Sequence, residues 1–356
     1  MSRRIALICP YALDVNGGVQ EQAMAMSREL RRRGHEVTLI APAGEPIAIE
    51  GVSVHQLGRR LSIPANGSKA PITLSLGASR RVPALLDELR VDVVHFHEPF
   101  APLLGYAELL RAKRPHIGTF HRSGGGPAYS LTGPLLRRLL AGVPARVAVS
   151  AAAADTLRRA TGATATVLFN GFETERFHNG ERPVRPNLLF IGRAEERKGL
   201  GTLLAMHARH GDEFDVTLIG RGTQEAWVKA GRPSGVTALD AVSDEEKRHY
   251  LGVASALVAP SLYGESFGLI VIEALASGTP VVASDIDGYR MAAGGCATLF
   301  SPGSAEDLYR AVRVALVRDD AARQRGIARA AEFSMSSLMD HYLNLYEEII
   351  SQDRHG

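Results

Sequence analysis

At 356 residues, with 45% hydrophobic residues, 22% charged residues and 36 glycines, the chain has a globular composition and room for two domains of about 150 to 200 residues each, which excludes a disordered or fibrous polypeptide. No uninterrupted apolar run of about 18 residues and no basic-apolar leader is found, so neither a membrane-spanning helix nor a cleaved signal is expected. Cys9 and Cys296 lie far apart without metal-ligand spacing, which points to buried structural thiols, a reducing compartment and a cytoplasmic protein.

The net charge of +3 conceals an asymmetry: residues 1–168 carry 21 Lys and Arg against 12 Asp and Glu, and residues 169–356 carry 20 against 26. A basic first half suits an anionic partner, whether a phospholipid surface, a phosphorylated acceptor or nucleic acid; solvated helix faces account for it equally well. Nucleic acid has no supporting motif, because the basic residues lack interleaved aromatics.

In chain order, the apolar run RIALICP (4–10) is followed by the loop YALDVNGG, the amphipathic stretch VQEQAMAMSRELRRRG and the apolar run HEVTLIAP. That succession predicts a strand, a helix and a strand. The alternation continues through VDVVHFHEP (91–99), PHIGTFH (115–121), RVAVS (146–150) and TATVLFNG (164–171), as a parallel sheet covered by helices requires. Residues 170–187 are polar and contain Pro183 and Pro186, and the interdomain linker is placed there. The scheme then restarts with NLLFIGR (187–193), the loop AEERKG, a helix LGTLLAMHARH and DVTLIGRG; SALVAPS, TPVVASD and ATLF are further strands. The expected fold is α/β: two doubly wound domains at 1–170 and 171–335, with a terminal helix at about 336–353 packing back on the first. Such a tandem puts a ligand cleft where the strands of both sheets end.

Three loops carry candidate chemistry. Gly17-Gly18 opens the first helix, so the amides of Gly18, Val19 and Gln20 face whatever occupies the helix N-terminus, a natural place for an anion. A full G-x-G-x-x-G and a Walker A sequence are both absent. In the second half, Arg193 and Lys198 flank a strand end in GRAEERKG and can hold a diphosphate; the ordinary alternative is a charged turn in which they pair with Glu195 or Glu196.

The third loop, GESFG at 264–268, fits the G-x-S-x-G of a nucleophile elbow, with Asp285 as an acid. Only His341 and His355 follow it as candidate bases, one in the terminal helix and one in the tail, which disfavours a hydrolase. The same stretch holds Glu265 and Glu273. Eight helical residues rise about 12 Å, too far for the ~5 Å carboxylate pair of a retaining glycosidase. The two are better placed to grip separate parts of one elongated ligand, with the amides of Ser266, Phe267 and Gly268 between them offering a phosphate site.

Together, CPYALDVNGGVQ, HFHEP, GTFH, the NG of VLFNGFETERF, IGRAEERKG and the E-x7-E segment GESFGLIVIEALASGTPVVASD resemble glycosyltransferase family 4, retaining enzymes with the GT-B fold of two Rossmann-like domains and an interdomain cleft. Within that family the chain is most similar to the phosphatidylinositol mannosyltransferases, through Cys9–Gln20 and the P-x-NGS stretch Pro64–Ser68. The resemblance implies a nucleotide-diphosphate sugar as donor, GDP-mannose or another such hexose. It implies Arg193 and Lys198 at the diphosphate, Glu273 at the ribose and Glu265 at the transferred sugar. Gly18, Ser266, Phe267, Gly268 and Leu269 complete the donor site, and His121 contacts the sugar.

Acceptor-side residues implied by the resemblance are Tyr11, Asp14, Gly17, Gln20, Asn66, Ser68, Lys69 and Arg122, whereas Pro71 and Thr73 stand where the mannosyltransferases carry positive charge. A front-face transfer stabilised by Arg193 and Lys198 needs no cofactor and no metal, and no D-x-D pair is present for one. The implied acceptor is lipid-linked or otherwise anionic. The basic helix LTGPLLRRLLAGV (131–143) either lies on the anionic inner face of the plasma membrane or packs on its own domain. Two competing functions are a same-fold transferase making a soluble glycoside and a catalytically degenerate nucleotide-sugar-binding protein; the E-x7-E segment argues against a sugar-nucleotide epimerase.

Overall fold

Apolar runs without alternation need cover on both faces, and among the described residues the strands they form pair in parallel in two large sheets. A computed structural model describes residues 2–353 apart from 16, 66–67, 102, 112, 123–132, 266 and 318, with backbone alone at 62–65, 68–70 and 133–134. The chain divides into two units, Met1–Phe172 with Met335–Gly356, and Glu173–Ser334.

The first unit runs β1 (Arg4–Ile8), α1 (Gly18–Arg32), β2 (Glu36–Ala41), β3 (Val52–Gln56), β4 (Leu61–Ala65), β5 (Ser68–Ile72), α2 (Leu76–Glu88), β6 (Val93–His97), α3 (Tyr106–Arg111), β7 (His116–Phe120), α4 (Gly133–Ala141), β8 (Ala145–Ala148), α5 (Ala151–Thr161) and β9 (Thr166–Val167). Its sheet order is β3-β2-β1-β6-β7-β8-β9. The second unit runs β10 (Asn187–Ile191), α6 (Leu200–His210), β11 (Asp215–Ile219), α7 (Thr223–Lys229), β12 (Val236–Leu239), α8 (Asp244–Val253), β13 (Ala256–Ala259), α9 (Leu269–Ala276), β14 (Val281–Ser284), α10 (Asp287–Ala293), β15 (Thr298–Phe300), α11 (Ala305–Leu316) and α12 (Asp320–Ala331). Its order is β12-β11-β10-β13-β14-β15. Each order reverses once, between β1 and β6 and between β10 and β13. The loops leaving those strands depart to opposite sides, and the gap between them is the ligand position of a doubly wound sheet.

The closing helix α13 (Met335–Asp353) returns to the first unit. Met335, Leu338, Met339, Tyr342, Tyr346, Ile349 and Ile350 enter the core formed by β1, β2 and the inner face of α1. Two of these side chains also complete a buried polar chain. The Tyr346 hydroxyl and His95 Nδ1 are 2.7 Å apart, His95 Nε2 and Thr119 Oγ1 are 2.7 Å apart, and Thr119 Oγ1 meets the Tyr342 hydroxyl at 2.7 Å.

Three expectations change. The P-x-NGS stretch belongs to an antiparallel hairpin, with Ala65 opposite Ser68 and Leu61 opposite Ile72. Asn-Gly between two strands is itself a hairpin signal, overlooked when the stretch is read as a loop motif. On α4, Leu136, Leu139 and Leu140 are buried in the first unit's core and Leu135 is exposed, so of the two readings of this helix the structure favours packing on its own domain. Cys9 is buried, with its thiol pushed up to about 12 by burial, but Cys296 is only partly buried.

Tyr346→Phe removes the partner of a fully buried imidazole nitrogen. The expected cost is about 1–3 kcal/mol in urea denaturation, with no change in secondary structure.

Candidate active site

In the first unit, the loop after β1 is held by its own side chains. Gln20 is buried, and its amide donates to the carbonyls of Val15 at 3.0 Å and Ala12 at 3.4 Å. Gly17 is the extended residue ahead of α1, and a β-carbon there would lie 2.6 Å from Gln20 Oε1. At Gly18 an added β-carbon would meet nothing within 4 Å, so the first turn of α1 leaves open space. Asp14 receives Arg60 Nη1 at 2.5 Å, and the Ala12 amide donates to Pro71 O at 2.8 Å, tying the loop to β5. Tyr11 is half-buried, its hydroxyl made a weaker acid first by burial and then by the charge of Glu98.

Across the reversal point lie the ends of β6 and β7. Glu98 has a left-handed backbone (φ 46) and its carboxylate accepts the amides of His121 and Arg122, each at 2.9 Å. His97 Nδ1 lies 3.2 Å from His121 Nε2, and the His97 ring stacks on His95 with centroids 4.7 Å apart. Burial drives all three imidazoles toward the neutral form, lowering His95 and His121 to about 3 and His97 well below its ordinary value. Of the other acceptor-side candidates, Ser68 and Lys69 sit in β5 with side chains outside the described residues, and Asn66 is itself outside them.

The second unit's site is ionic. After β10, Arg193 pairs with Glu195 at 2.8 Å, and Arg197 bridges Glu195 at 3.0 Å to Glu265 at 3.4 Å. Lys198 also pairs with Glu265, and Ser261 Oγ donates to the same Glu265 oxygen at 3.1 Å while meeting the Tyr289 hydroxyl at 2.8 Å. Glu273 receives Lys247 Nζ at 3.0 Å. The two loops approach at backbone distance: Leu262 N–H donates to Arg197 O at 2.7 Å, and a β-carbon on Gly199 would sit 1.8 Å from Pro260 O. Gly199 has φ 67, so only glycine both turns and fits there.

α9 begins at Leu269, which is exposed, after Gly268 as a left-handed cap. Glu265 is therefore in a loop and Glu273 about one turn into the helix, so the eight residues between them are not all helical. Phe267 packs edge-on against Phe333 with centroids 5.1 Å apart, and Ser266 lies outside the described residues.

The structure thus brings Arg193, Lys198 and Glu265 into one network and gives Glu273 a separate partner. Sequence reasoning missed Arg197, Ser261, Tyr289 and Lys247, and quoted HFHEP without giving His97 or Glu98 a role. Arg197 was visible as the neighbour of Lys198; the others carry no sequence signal. The nucleophile-elbow partners are engaged elsewhere, Asp285 by Arg290 Nε at 2.5 Å and His341 Nδ1 by Ser337 O at 2.9 Å. Among the described residues no cluster has the makings of a metal site, and no helix is long and apolar enough to cross a membrane.

Residues 16–176 match the model of Glycosyltransferase Family 4, and residues 185–318 match that of Glycosyl transferases group 1. The phosphatidyl-myo-inositol mannosyltransferase of Mycolicibacterium smegmatis is 34% identical over 97% of this chain and 94% of its own length. The chain belongs to glycosyltransferase family 4. The mannosyltransferase of the same name from Mycobacterium leprae is 34% identical over 97% of both chains. The GT-B architecture of this family 4 glycosyltransferase is shared with a glycosyltransferase from Rickettsia africae, which aligns with a TM-score of 0.75 at 17% identity over 98% of this chain and 99% of that one.

Neutral buried histidines set the pH response of the first unit. Because burial lowers their folded-state pKa values below the unfolded value of about 6.5, the unfolded chain binds more protons at acid pH and stability rises with pH. It is fully present above about 6.5 and is lost as pH falls from there, by up to about 1.4 kcal/mol per pH unit for each of the fully buried His95 and His97. Urea titrations followed through amide signals of β6 and β7 should show a lower midpoint at pH 5 than at pH 7.5.

Proposed function

We propose that this glycosyltransferase moves a hexose, mannose in the first instance, from a nucleotide-diphosphate donor to a hydroxyl of a lipid-linked acceptor such as phosphatidylinositol, with retention at the anomeric carbon. The observation that carries the donor side is the Arg193–Glu195–Arg197–Glu265–Lys198 network at the carboxyl ends of β10 and β13. A diphosphate entering it can take Arg193 and Lys198 from their carboxylates and so neutralise the charge that grows on the leaving group. Glu265, released from Lys198 but still held by Ser261, is then an acceptor for sugar hydroxyls. Glu273, steadied by Lys247, is a grip for the ribose diol. Phe267, Gly268 and Leu269 supply backbone amides, Ser266 joins them by sequence, and Gly18 is assigned to the donor by the family resemblance alone. The residues named leave all chemistry to substrate groups, with no metal or cofactor assigned.

The lipid acceptor is supported by the names of the curated relatives and by the surface beside the first unit's site. Tyr11 and Arg122 face the acceptor, and Asn66, Ser68 and Lys69 join them by sequence. Gln20 and Asp14 serve by holding the loop, since their polar atoms are already engaged. Pro71 and Thr73 are buried, so charge at those positions is replaced from elsewhere. Leu61, Leu74 and Leu76 are exposed, at 45%, 41% and 60%, next to exposed Arg59, Arg60, Arg80 and Arg81. Gly58 joins these segments, since a β-carbon on it would meet Ala78 and Ser75 within 3.1 Å. Leucines flanked by arginines are the chemistry of a peripheral contact with an anionic leaflet, and this patch replaces α4 as the proposed membrane face.

Lys198→Ala should lower kcat about 100- to 1,000-fold. The protein should still fold, because Arg197 and Ser261 still hold Glu265; near-normal turnover would reject the diphosphate role. Thermal-shift screening against nucleotide-diphosphate sugars should select GDP-mannose, and transfer to phosphatidylinositol should follow. Binding without any transfer identifies a degenerate sugar-nucleotide binder. In flotation at low salt the protein should rise with phosphatidylinositol-containing vesicles and not with phosphatidylcholine alone. Replacing Arg80 and Arg81 by Gln should weaken that binding about 30-fold, at about 1 kcal/mol per basic side chain. No flotation of the unmodified protein would leave the soluble-glycoside transferase as the better function.

A further inference from the structure

His97 is buried at 1% exposure, and its Nε2 has no hydrogen-bond partner among the described residues. Its other nitrogen, Nδ1, lies 3.2 Å from His121 Nε2. His121 is half-buried, and no bond to its Nδ1 is found among the described residues. Two neutral imidazoles joined nitrogen to nitrogen can share the bond in only two ways, because each ring carries one N–H and one lone pair.

In the first arrangement His97 holds its proton on Nδ1 and donates it to His121 Nε2. The atom left unsatisfied at the buried Nε2 of His97 is then a lone pair. His121 carries its own proton on Nδ1 and presents an N–H donor. In the second, His97 holds its proton on Nε2, which strands a buried N–H with no acceptor. His121 then donates from Nε2 and presents a bare lone pair at Nδ1. An orphaned buried N–H is the rarer arrangement in native proteins, and the first arrangement avoids it. The neighbours keep the rings in place: His97 stacks on His95 with planes 6° apart, and both nitrogens of His95 are engaged by Tyr346 and Thr119. Glu98 fixes the backbone of His121 through its amide.

We propose that His97 is a positioning residue that sets the tautomer of His121, so that His121 offers an Nδ1–H, and not a lone pair, to an oxygen of the bound substrates. This deepens the proposed function and rests on the sugar contact that the family resemblance implies for His121. His97 touches no substrate; it acts through the proton on its neighbour.

Two-bond proton–nitrogen correlation spectra of the histidine-labelled full chain at pH 7.5 read the tautomer directly and need neither a variant nor a substrate. His121 should be in the Nδ1–H form; an Nε2–H form in the unmodified protein overturns the proposal. His97→Asn keeps an N–H donor near the position of Nδ1, whereas His97→Leu keeps bulk without one. The Leu variant should shift His121 toward Nε2–H and lower kcat by roughly tenfold or more, with the donor KM within about twofold. The Asn variant should restore most of that loss, and equal turnover of Leu and Asn variants overturns the coupling. Wild-type turnover by His121→Ala would instead remove His121 from the sugar site, while the spectra still decide where its proton sits.

Discussion

The sites depend on one constraint, that a parallel sheet with both faces covered must send its connections to opposite sides at some point in its order. In the second unit that point is between β10, which pairs with β11, and β13, which pairs with β14. The loops that leave β10 and β13 start side by side at the carboxyl ends of the two central strands, and where they touch their packing is set at backbone distance. Gly199 against Pro260 O and Gly288, from the start of α10, against Glu265 O are two contacts where any β-carbon would collide, at 1.8 and 2.1 Å. These contacts hold Lys198 and Glu265 beside each other before any ligand arrives.

The price of that preorganisation is electrostatic: cations suited to a diphosphate stand beside carboxylates. Arg193, Arg197 and Lys198 carry one more charge than Glu195 and Glu265 can neutralise. The Arg193–Glu195 pair is exposed, so it is screened and exchangeable, while Lys198 and Glu265 are more enclosed but still reached by solvent, so an incoming dianion can compete for both cations. A fully buried network would resist such an exchange, because breaking a buried pair strands an uncompensated charge. Glu265 is the pivot, bound on one oxygen by Lys198, Arg197 and Ser261, so its orientation survives the loss of any single partner.

The order of elements and the reversal of the sheets were legible because apolar runs of four to six residues and intervening amphipathic segments report burial directly. Local charge was legible too: Arg193, Lys198 and Glu265 appear on adjacent loops because the loops follow strands. Long-range contacts were not. Lys247 reaches Glu273 from another helix, and Tyr346 reaches His95 across 251 residues, so neither the pairing nor the neutrality of the histidines has a local signature. HFHEP looks like a polar end to an apolar strand. Only when α13 closes over it does burial turn His95 and His97 from exposed bases into neutral hydrogen-bonding groups. The leucines of α4 left two readings open in the sequence, since an amphipathic helix has the same pattern whether a membrane or its own core covers it.

The two units differ in a way that suits the proposed chemistry. Around His121 the first unit uses neutral imidazoles and backbone amides held by the buried Glu98 carboxylate, which accepts hydrogen bonds from those amides. Around Lys198 the second unit uses fixed charges. Sugar and inositol hydroxyls are neutral and directional, and a cation beside them would add little discrimination between orientations. A departing nucleoside diphosphate gathers negative charge in the transition state, where cations stabilise it more than they stabilise the bound donor. In the role proposed for it, a neutral donor at His121 would hydrogen-bond a hydroxyl without repelling positive charge that develops on a sugar carbon. An imidazolium at that position would oppose it, and burial beside His95 and His97 is what keeps the ring neutral at physiological pH.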